Sequence, residues 1–416
     1  MTGVSNLMSY VPFVGGWLAN NQSEARKQAS SDDRVQKLLH QDASSTWNTG
    51  LYSKLKEFGT WLYGSVRHKS LMKLFLIDDT VPGLDPKQFP DYDVHPIEIK
   101  NAAAKATLSK KYIIEKPGKA NRSSVLFHGV RTTGRNLGRI SKTLADGGHR
   151  VYVGDSAGFG INKGTNVSEH TLIEDHVQTI KQASIDNELG PINIVAHSMG
   201  SALATKAVER IFTQEAKTGN FNTKIDNLVL VSPWDQVSNL ITDFYDSDQD
   251  DKLRQVKNSL GENDNVSGVL KAPQDSAKAI AKSVFGVSFD TIASLFEILM
   301  LNDERPDEAK IKNIQIVHGK NDPFVSYQRS KNLIDLVATL SKIVKTGVPN
   351  ARFVLVEDGN HFDAQADSTQ DRFPSAIVKN LLNAKFSGIQ TGKTTLSSAR
   401  FTPVDTKAYK ELAASL

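Results

Sequence analysis

The chain has 416 residues, 39% of them hydrophobic and 23% charged, an ordinary balance for a globular protein able to bury a sizeable core. Its 50 basic and 46 acidic residues leave a net charge of +4, too small an excess for a dedicated nucleic-acid binder. The absence of cysteine excludes a disulfide framework and any cysteine-ligated metal site.

No apolar run is long enough to span a membrane. The first residues lack a basic n-region, and Pro12 and Gly15-Gly16 interrupt their apolar stretch, so no cleavable secretory signal is expected. The expected location is the cytoplasm, or export without such a signal, including delivery into a host cell. Residues 1–90 read as a helical extension, with helix-like patches at 7–18, 35–39, 47–62 and 70–77. A Pro/Gly/Asp-rich link at 78–93 ends it. The aromatic-rich patch at 8–18 suits a membrane surface, but it lacks the basic polar face of an interfacial helix. Packing against the rest of the protein is the favoured reading.

From about residue 93 the pattern changes to apolar strand runs alternating with helical stretches. Residues 94–100 and 106–115 read as an opening hairpin. Strands follow at 123–128, 150–155, 192–196, 225–232, 314–318 and 352–357. Helices are expected at 135–147, 169–189, 201–214, 327–345 and 373–385. This alternation predicts an α/β fold with a mainly parallel sheet, whose sites form at the carboxyl ends of strands. Residues 91–234 and 311–386 make up this core. The acidic block 235–310 interrupts it and reads as a helical lid or cap. Its last helix, at 284–301, carries Phe285, Phe289, Ile292, Leu295, Phe296 and Leu299. Residues 387–416 show no strand pattern and are expected to be poorly ordered or to dock as a terminal helix.

The most informative stretch is Ala196-His197-Ser198-Met199-Gly200, between a β-forming run and a run of helix formers. A serine at the apex of a sharp strand–helix turn is held in strained geometry and needs small neighbours two residues away on each side. Ala196 and Gly200 meet that need. A serine hydroxyl attacks only when a base takes its proton, and the base needs a carboxylate to orient it. Two later strand ends supply both: Asp322 in His318-Gly319-Lys320-Asn321-Asp322, and His361 in Gly359-Asn360-His361. Asp235, after the preceding strand, is the alternative acid. The backbone N–H groups of Met199 and Val130 are the candidate oxyanion donors, the latter in the turn His128-Gly129-Val130.

These motifs, in this order, resemble the α/β-hydrolase superfamily over about residues 94–385. His128-Gly129 resembles its oxyanion loop, and Asp155-Ser156-Ala157-Gly158-Phe159-Gly160 the turn after its fourth strand. His197-Ser198-Met199-Gly200 resembles the elbow of lipases and esterases, with Ala196 in place of the usual first glycine. The resemblance implies the chain order Ser, Asp, His and a lid between the sixth and seventh strands, where 235–310 falls. The long extension, the lack of cysteine and the elbow sequence also resemble the lipase-like SidB-type effectors of intracellular bacteria. Arg131 and Phe159 are candidate substrate-binding residues, Arg131 as a partner for an anionic headgroup.

His128, His197 and His318 read as packing residues or hydrogen-bond supports of their motifs, and the remaining histidines as surface or structural residues. The acidic run at 246–251 lacks the glycine and glutamate of a calcium loop. Gly129 to Gly134 lacks the Lys-Ser/Thr of a phosphate-binding loop. No metal or organic cofactor is implied. The leading expectation is a serine hydrolase of a lipid or other acyl ester, acting through an acyl-enzyme and able to work at a membrane surface. A thioesterase or peptidase would use the same residues, and a catalytically silent binding module would share the fold.

Overall fold

The computed structural model describes residues 24–39, 82–101, 107–130, 132–163, 168–186, 190–236, 289–322, 325–344, 348–356, 361, 382 and 387–396. Among the described residues, nine strands form one sheet in the order β1-β2-β4-β3-β5-β6-β7-β8-β9. They are β1 Asp93–Lys100, β2 Thr107–Glu115, β3 Arg122–Phe127, β4 His149–Gly154, β5 Ile192–His197, β6 Ile225–Val231, β7 Asn313–Gly319, β8 Asn350–Val356 and β9 Ile389–Leu396. The opening hairpin β1–β2 is antiparallel and joins β4 antiparallel; every pairing from β4 through β3 to β9 is parallel.

Strands β3 to β8 are mainly apolar on both sides because helices cover both faces. Alternate residues go to opposite layers. Val125, Phe127, Ile194, Ala196, Leu228, Leu230, Ile314, Ile316 and Phe353 enter one core. Leu126, Val195, Val229, Val231, Val317 and Val354 enter the other.

The described helices are α1 Glu24–Ser31, α2 Asp33–Leu39, α3 Gly138–Asp146, α4 Glu169–Ile185, α5 Met199–Thr218, α6 Thr291–Asp303 and α7 Tyr327–Leu340. The Ser168 hydroxyl caps α4 by accepting from the Thr171 N–H, and Gly219 ends α5 in the left-handed region. Ile140, Leu144 and Ala145 of α3 pack on one face, with Leu84 and Phe89 from the segment before β1. Helices α4 to α7 cover the other face, together with Ala29 of α1 and Val35 of α2. Arg26 of α1 pairs with Glu297 of α6, and the Leu39 carbonyl accepts from the Gln236 amide at 3.0 Å. The described part of the N-terminal extension is therefore docked on the core.

Two boundaries differ from the sequence reading. Helix α6 falls inside the expected lid, yet Ile292, Leu295, Ile298, Leu299 and Leu301 are all buried in the α4–α7 core layer. A helix apolar over most of its circumference belongs inside a core, where it can be covered, and α6 leaves only a narrow side, with Glu297, for the Arg26 pair. The core thus resumes by residue 289 rather than 311; 237–288 lie outside the described residues. The tail also contributes β9, paired parallel with β8. Its sequence Ile-Gln-Thr-Gly-Lys-Thr-Thr-Leu is apolar only at its two ends, so neither alternation nor an apolar run betrays it. Of the helix expected at 373–385 only Leu382 is described, helical and buried in the α3-side core; the patches at 8–18, 47–62 and 70–77 lie outside the described residues.

Candidate active site

Strand β5 delivers Ser198 at φ 53°, ψ −122°, and α5 starts at the next residue. Such backbone geometry in a residue other than glycine costs about 1–3 kcal/mol and persists only where neighbours enforce it. Here the Ser198 N–H donates to the Val231 carbonyl at 2.8 Å, and the Ser198 carbonyl accepts from the Ser201 N–H at 2.9 Å. The Ser201 hydroxyl donates to the Ala196 carbonyl at 2.7 Å, closing the elbow behind the serine. The two small positions differ. Ala196 sends its methyl into the apolar layer. At Gly200 a Cβ would lie 2.6 Å from the His128 carbonyl oxygen and 2.8 Å from that of Phe127.

Asp322 and His361 meet Ser198 at the carboxyl edge of the sheet. The Asp322 side chain is fully buried, and its Oδ2 accepts from His361 Nδ1 at 2.6 Å. His361 Nε2 lies 3.1 Å from Ser198 Oγ. With Nδ1–H directed at the carboxylate, Nε2 is left to accept the serine proton. Asp322 Oδ1 accepts from the Val325 N–H at 2.9 Å. Buried His318 adds a further contact, with its Nε2 3.2 Å from Asp322 Oδ2. Burial alone would raise the Asp322 carboxyl, but the nearby charge of His361 and the hydrogen bonds from His318 and His361 outweigh it. The group is held well below the usual carboxylate range and stays ionised. His318 is itself fixed by the Ser330 hydroxyl at 2.6 Å and the Val325 carbonyl at 2.8 Å.

His197 packs beside His361 with ring centroids 5.0 Å apart. Burial, and then the charge of His361, push its pKa well below the ordinary value, so it adds no second cation beside the base. Asp235 does not reach His361. Its carboxylate accepts from the Gln236 N–H and the Asn332 amide, both at 2.7 Å.

The turn after β3 presses on the elbow: a Cβ at Gly129 would sit 3.0 Å from Ser198 Cβ. The Gly129 carbonyl accepts from His128 Nδ1 at 2.8 Å and from the Thr132 hydroxyl at 2.9 Å. In a trans peptide the next N–H points the opposite way, so these two bonds aim the Val130 N–H. His128 Nε2 accepts from the Ser156 N–H at 2.9 Å, which fixes the tautomer, and burial lowers its pKa to about 4. The Met199 N–H opens α5, among the first-turn donors that lack intrahelical partners.

Phe159 takes a different place from the one expected. It is 1% exposed, and its ring meets His128 edge-on at 5.0 Å, so it braces the turn after β3 from within the core. A large aromatic in a glycine-rich turn looks like a substrate contact in sequence, but burial sends it inward. Arg131 and the acidic run at 246–251 lie outside the described residues. Thr132 and Ser330 escape the sequence reading, and Asp155 enters it only as the first residue of the turn after β4, with no role of its own. A threonine three residues after a turn glycine is a usable signal for Thr132, because its hydroxyl reaches back to that carbonyl. Among the described residues, no three His, Asp or Glu side chains gather as a metal site.

The model of the family described as serine aminopeptidase, S33 matches residues 118–347, more than half of the chain. No curated protein matches it. Among solved structures, an esterase of Pyrococcus furiosus aligns over 70% of this chain and 90% of its own, at 14% identity and TM-score 0.44. The esterase domain of a Rhodothermus marinus protein aligns over 70% and 96%, at 10% identity and TM-score 0.39. The acylaminoacyl peptidase of Pyrococcus horikoshii aligns over 73% and 44%, at 11% identity and TM-score 0.41.

Proposed function

The chain belongs to the serine aminopeptidase S33 family of α/β-hydrolases, and on that premise we propose that it is a serine esterase working through Ser198, His361 and Asp322. The observation that carries this reading is the line of contacts from Asp322 through His361 to Ser198, at 2.6 and 3.1 Å. An ionised buried carboxylate holds the imidazole in the tautomer that can accept a proton. Ser198 Oγ attacks the acyl carbonyl as its proton passes to His361 Nε2. The Met199 and Val130 N–H groups receive the oxyanion. His361 then protonates the leaving alcohol, and water, deprotonated by the same imidazole, releases the acid and regenerates the serine. None of these steps calls on a metal or organic cofactor.

The substrate is an acyl ester of a lipid or other alcohol. A second reading, cleavage of a peptide bond, draws support from the description of the family itself. The same residues serve both, so substrates must separate them. The test is a panel of p-nitrophenyl esters with short to long acyl chains, a phospholipid, an acyl thioester and an aminoacyl anilide. The esterase reading expects ester turnover that falls by about 10³-fold or more in Ser198→Ala. Turnover of the anilide alone would transfer the activity to the peptidase reading. A folded protein that hydrolyses nothing would favour a binding module.

A further inference from the structure

Behind the oxyanion turn lies a buried carboxylate that the chemistry above does not use. Asp155 follows β4 and is fully buried. Its Oδ1 accepts from the Gly134 N–H at 2.7 Å and, more weakly, from the Leu84 N–H at 3.4 Å. Its Oδ2 accepts from the Ile161 N–H at 2.8 Å. One side chain thus joins three segments: the end of the oxyanion loop, the turn after β4, and the stretch that precedes β1. A second bond ties the first and last of these segments, since the Thr133 hydroxyl donates to the Pro82 carbonyl at 2.8 Å.

The packing leaves no slack. At Gly83 a Cβ would lie 2.4 Å from Asp155 Oδ2 and 2.8 Å from the Ile161 nitrogen; at Gly134 it would lie 2.6 Å from the Gly154 carbonyl carbon. Gly160, at φ 46°, brings its own backbone against the same carboxylate. Residues 82–84 therefore lie flat on Asp155, while Leu84 and Phe89 anchor the stretch in the α3 core at 2% and 1% exposure. The loop that carries the Val130 N–H is short. Gly129 is pressed on Ser198 at one end, and Thr133 and Gly134 are gripped by Pro82 and Asp155 at the other.

We propose that Asp155 and Thr133 are positioning residues, through which the segment at 82–84 sets the geometry of the oxyanion loop. The N-terminal segment then acts on catalysis as well as on folding. This inference rests on the reading of Ser198 as nucleophile and Val130 as oxyanion donor. A preorganised donor is worth about 10²–10³ in turnover when removed outright. A loosened loop forfeits part of that, about tenfold, because the donor is displaced rather than lost.

The test uses the full chain. Thr133→Val removes the hydroxyl and keeps the shape; Thr133→Ser restores the hydroxyl; Gly83→Ala pushes the segment off Asp155. Each is compared with wild type for kcat and KM on an ester, for the rate of fluorophosphonate labelling, and for unfolding by urea. The expected result is a kcat and labelling rate about tenfold lower in Thr133→Val and Gly83→Ala, with KM within about twofold and recovery in Thr133→Ser. A comparison variant in the α3 core, Ile140→Val, controls for stability alone and should leave kcat unchanged. If wild type labels and Thr133→Val labels equally fast, the proposal fails while the reading of Ser198 stands. Equal kcat losses in Thr133→Ser or in Ile140→Val would also overturn it. A folded wild type that never labels removes the reading of Ser198 and the proposal with it.

Discussion

Gly200→Ala separates the two small positions of the elbow. The added Cβ would stand 2.6 Å from the His128 carbonyl oxygen, 2.8 Å from the Phe127 oxygen and 3.0 Å from the Phe127 carbonyl carbon. A carbon–oxygen contact relaxes at roughly 3.3–3.6 Å, so α5 and the end of β3 must part by about 0.7 Å or more. All three obstacles are backbone atoms, and none can turn aside as a side chain would. Overpacking of this kind costs about 1–3 kcal/mol. The displaced peptides lead directly into Gly129 and Val130, and a misplacement approaching 1 Å can cost about 10²-fold in rate. The expected outcome is a loss of about 2 kcal/mol in urea unfolding at unchanged slope, with kcat lower by 10- to 100-fold. Ala196→Gly makes the contrast. It removes a methyl from an apolar layer and should lower stability by about 1 kcal/mol with little effect on kcat. A Gly200→Ala variant within about 0.5 kcal/mol of wild type, at wild-type kcat, would mean that α5 and β3 take up the methyl without strain, against this expectation.

Arg305 is 3% exposed, bonds Glu215 Oε2 and the Thr223 carbonyl at 2.7 Å each, and lies 3.7 Å over the Phe212 ring. Arg305→Ala strands the buried Glu215 charge and should destabilise by about 3–5 kcal/mol, read by urea unfolding, while Arg305→Ala with Glu215→Gln should recover part of that loss. Stability should also fall with acid. Burial lowers His128 to about 4 from an ordinary 6.5, so the native state refuses a proton that the unfolded chain accepts. Stability is therefore complete above about pH 6.5 and is lost as pH drops toward about 4, by roughly 3 kcal/mol from His128 alone. His176 and His197, both pushed well below the ordinary value by burial, steepen the slope. A melting temperature that stays flat from pH 7 to about 4.5 would contradict this.

Much of the site can be read in the chain because its chemistry sits at the ends of apolar runs. Ile192 to Val195 are buried on both faces of β5, so the strand, and the serine that follows it, stand out. Asp322 and His361 stand out for the same reason after β7 and β8. What stays hidden depends on contacts between distant residues. Strand β9 is polar between Ile389 and Leu396, and its identity as a strand comes from pairing with β8. Helix α6 is plainly apolar in sequence, but whether it covers a pocket or fills a core depends on what packs against it. Phe159 is misplaced for the same reason, because its partner His128 is far away in the chain. The reach of Asp155 to Leu84, Gly134 and Ile161 runs through backbone N–H groups, which leave no mark on residue identity.

The proposed activity stands on the serine at the elbow. Incubation of the full chain with a fluorophosphonate, followed by intact mass and peptide mapping, measures its reactivity directly. The expected result is one adduct per chain, located on Ser198, absent in Ser198→Ala and formed far more slowly in His361→Ala. Labelling at another serine, or a folded wild type that takes up no label, would contradict it.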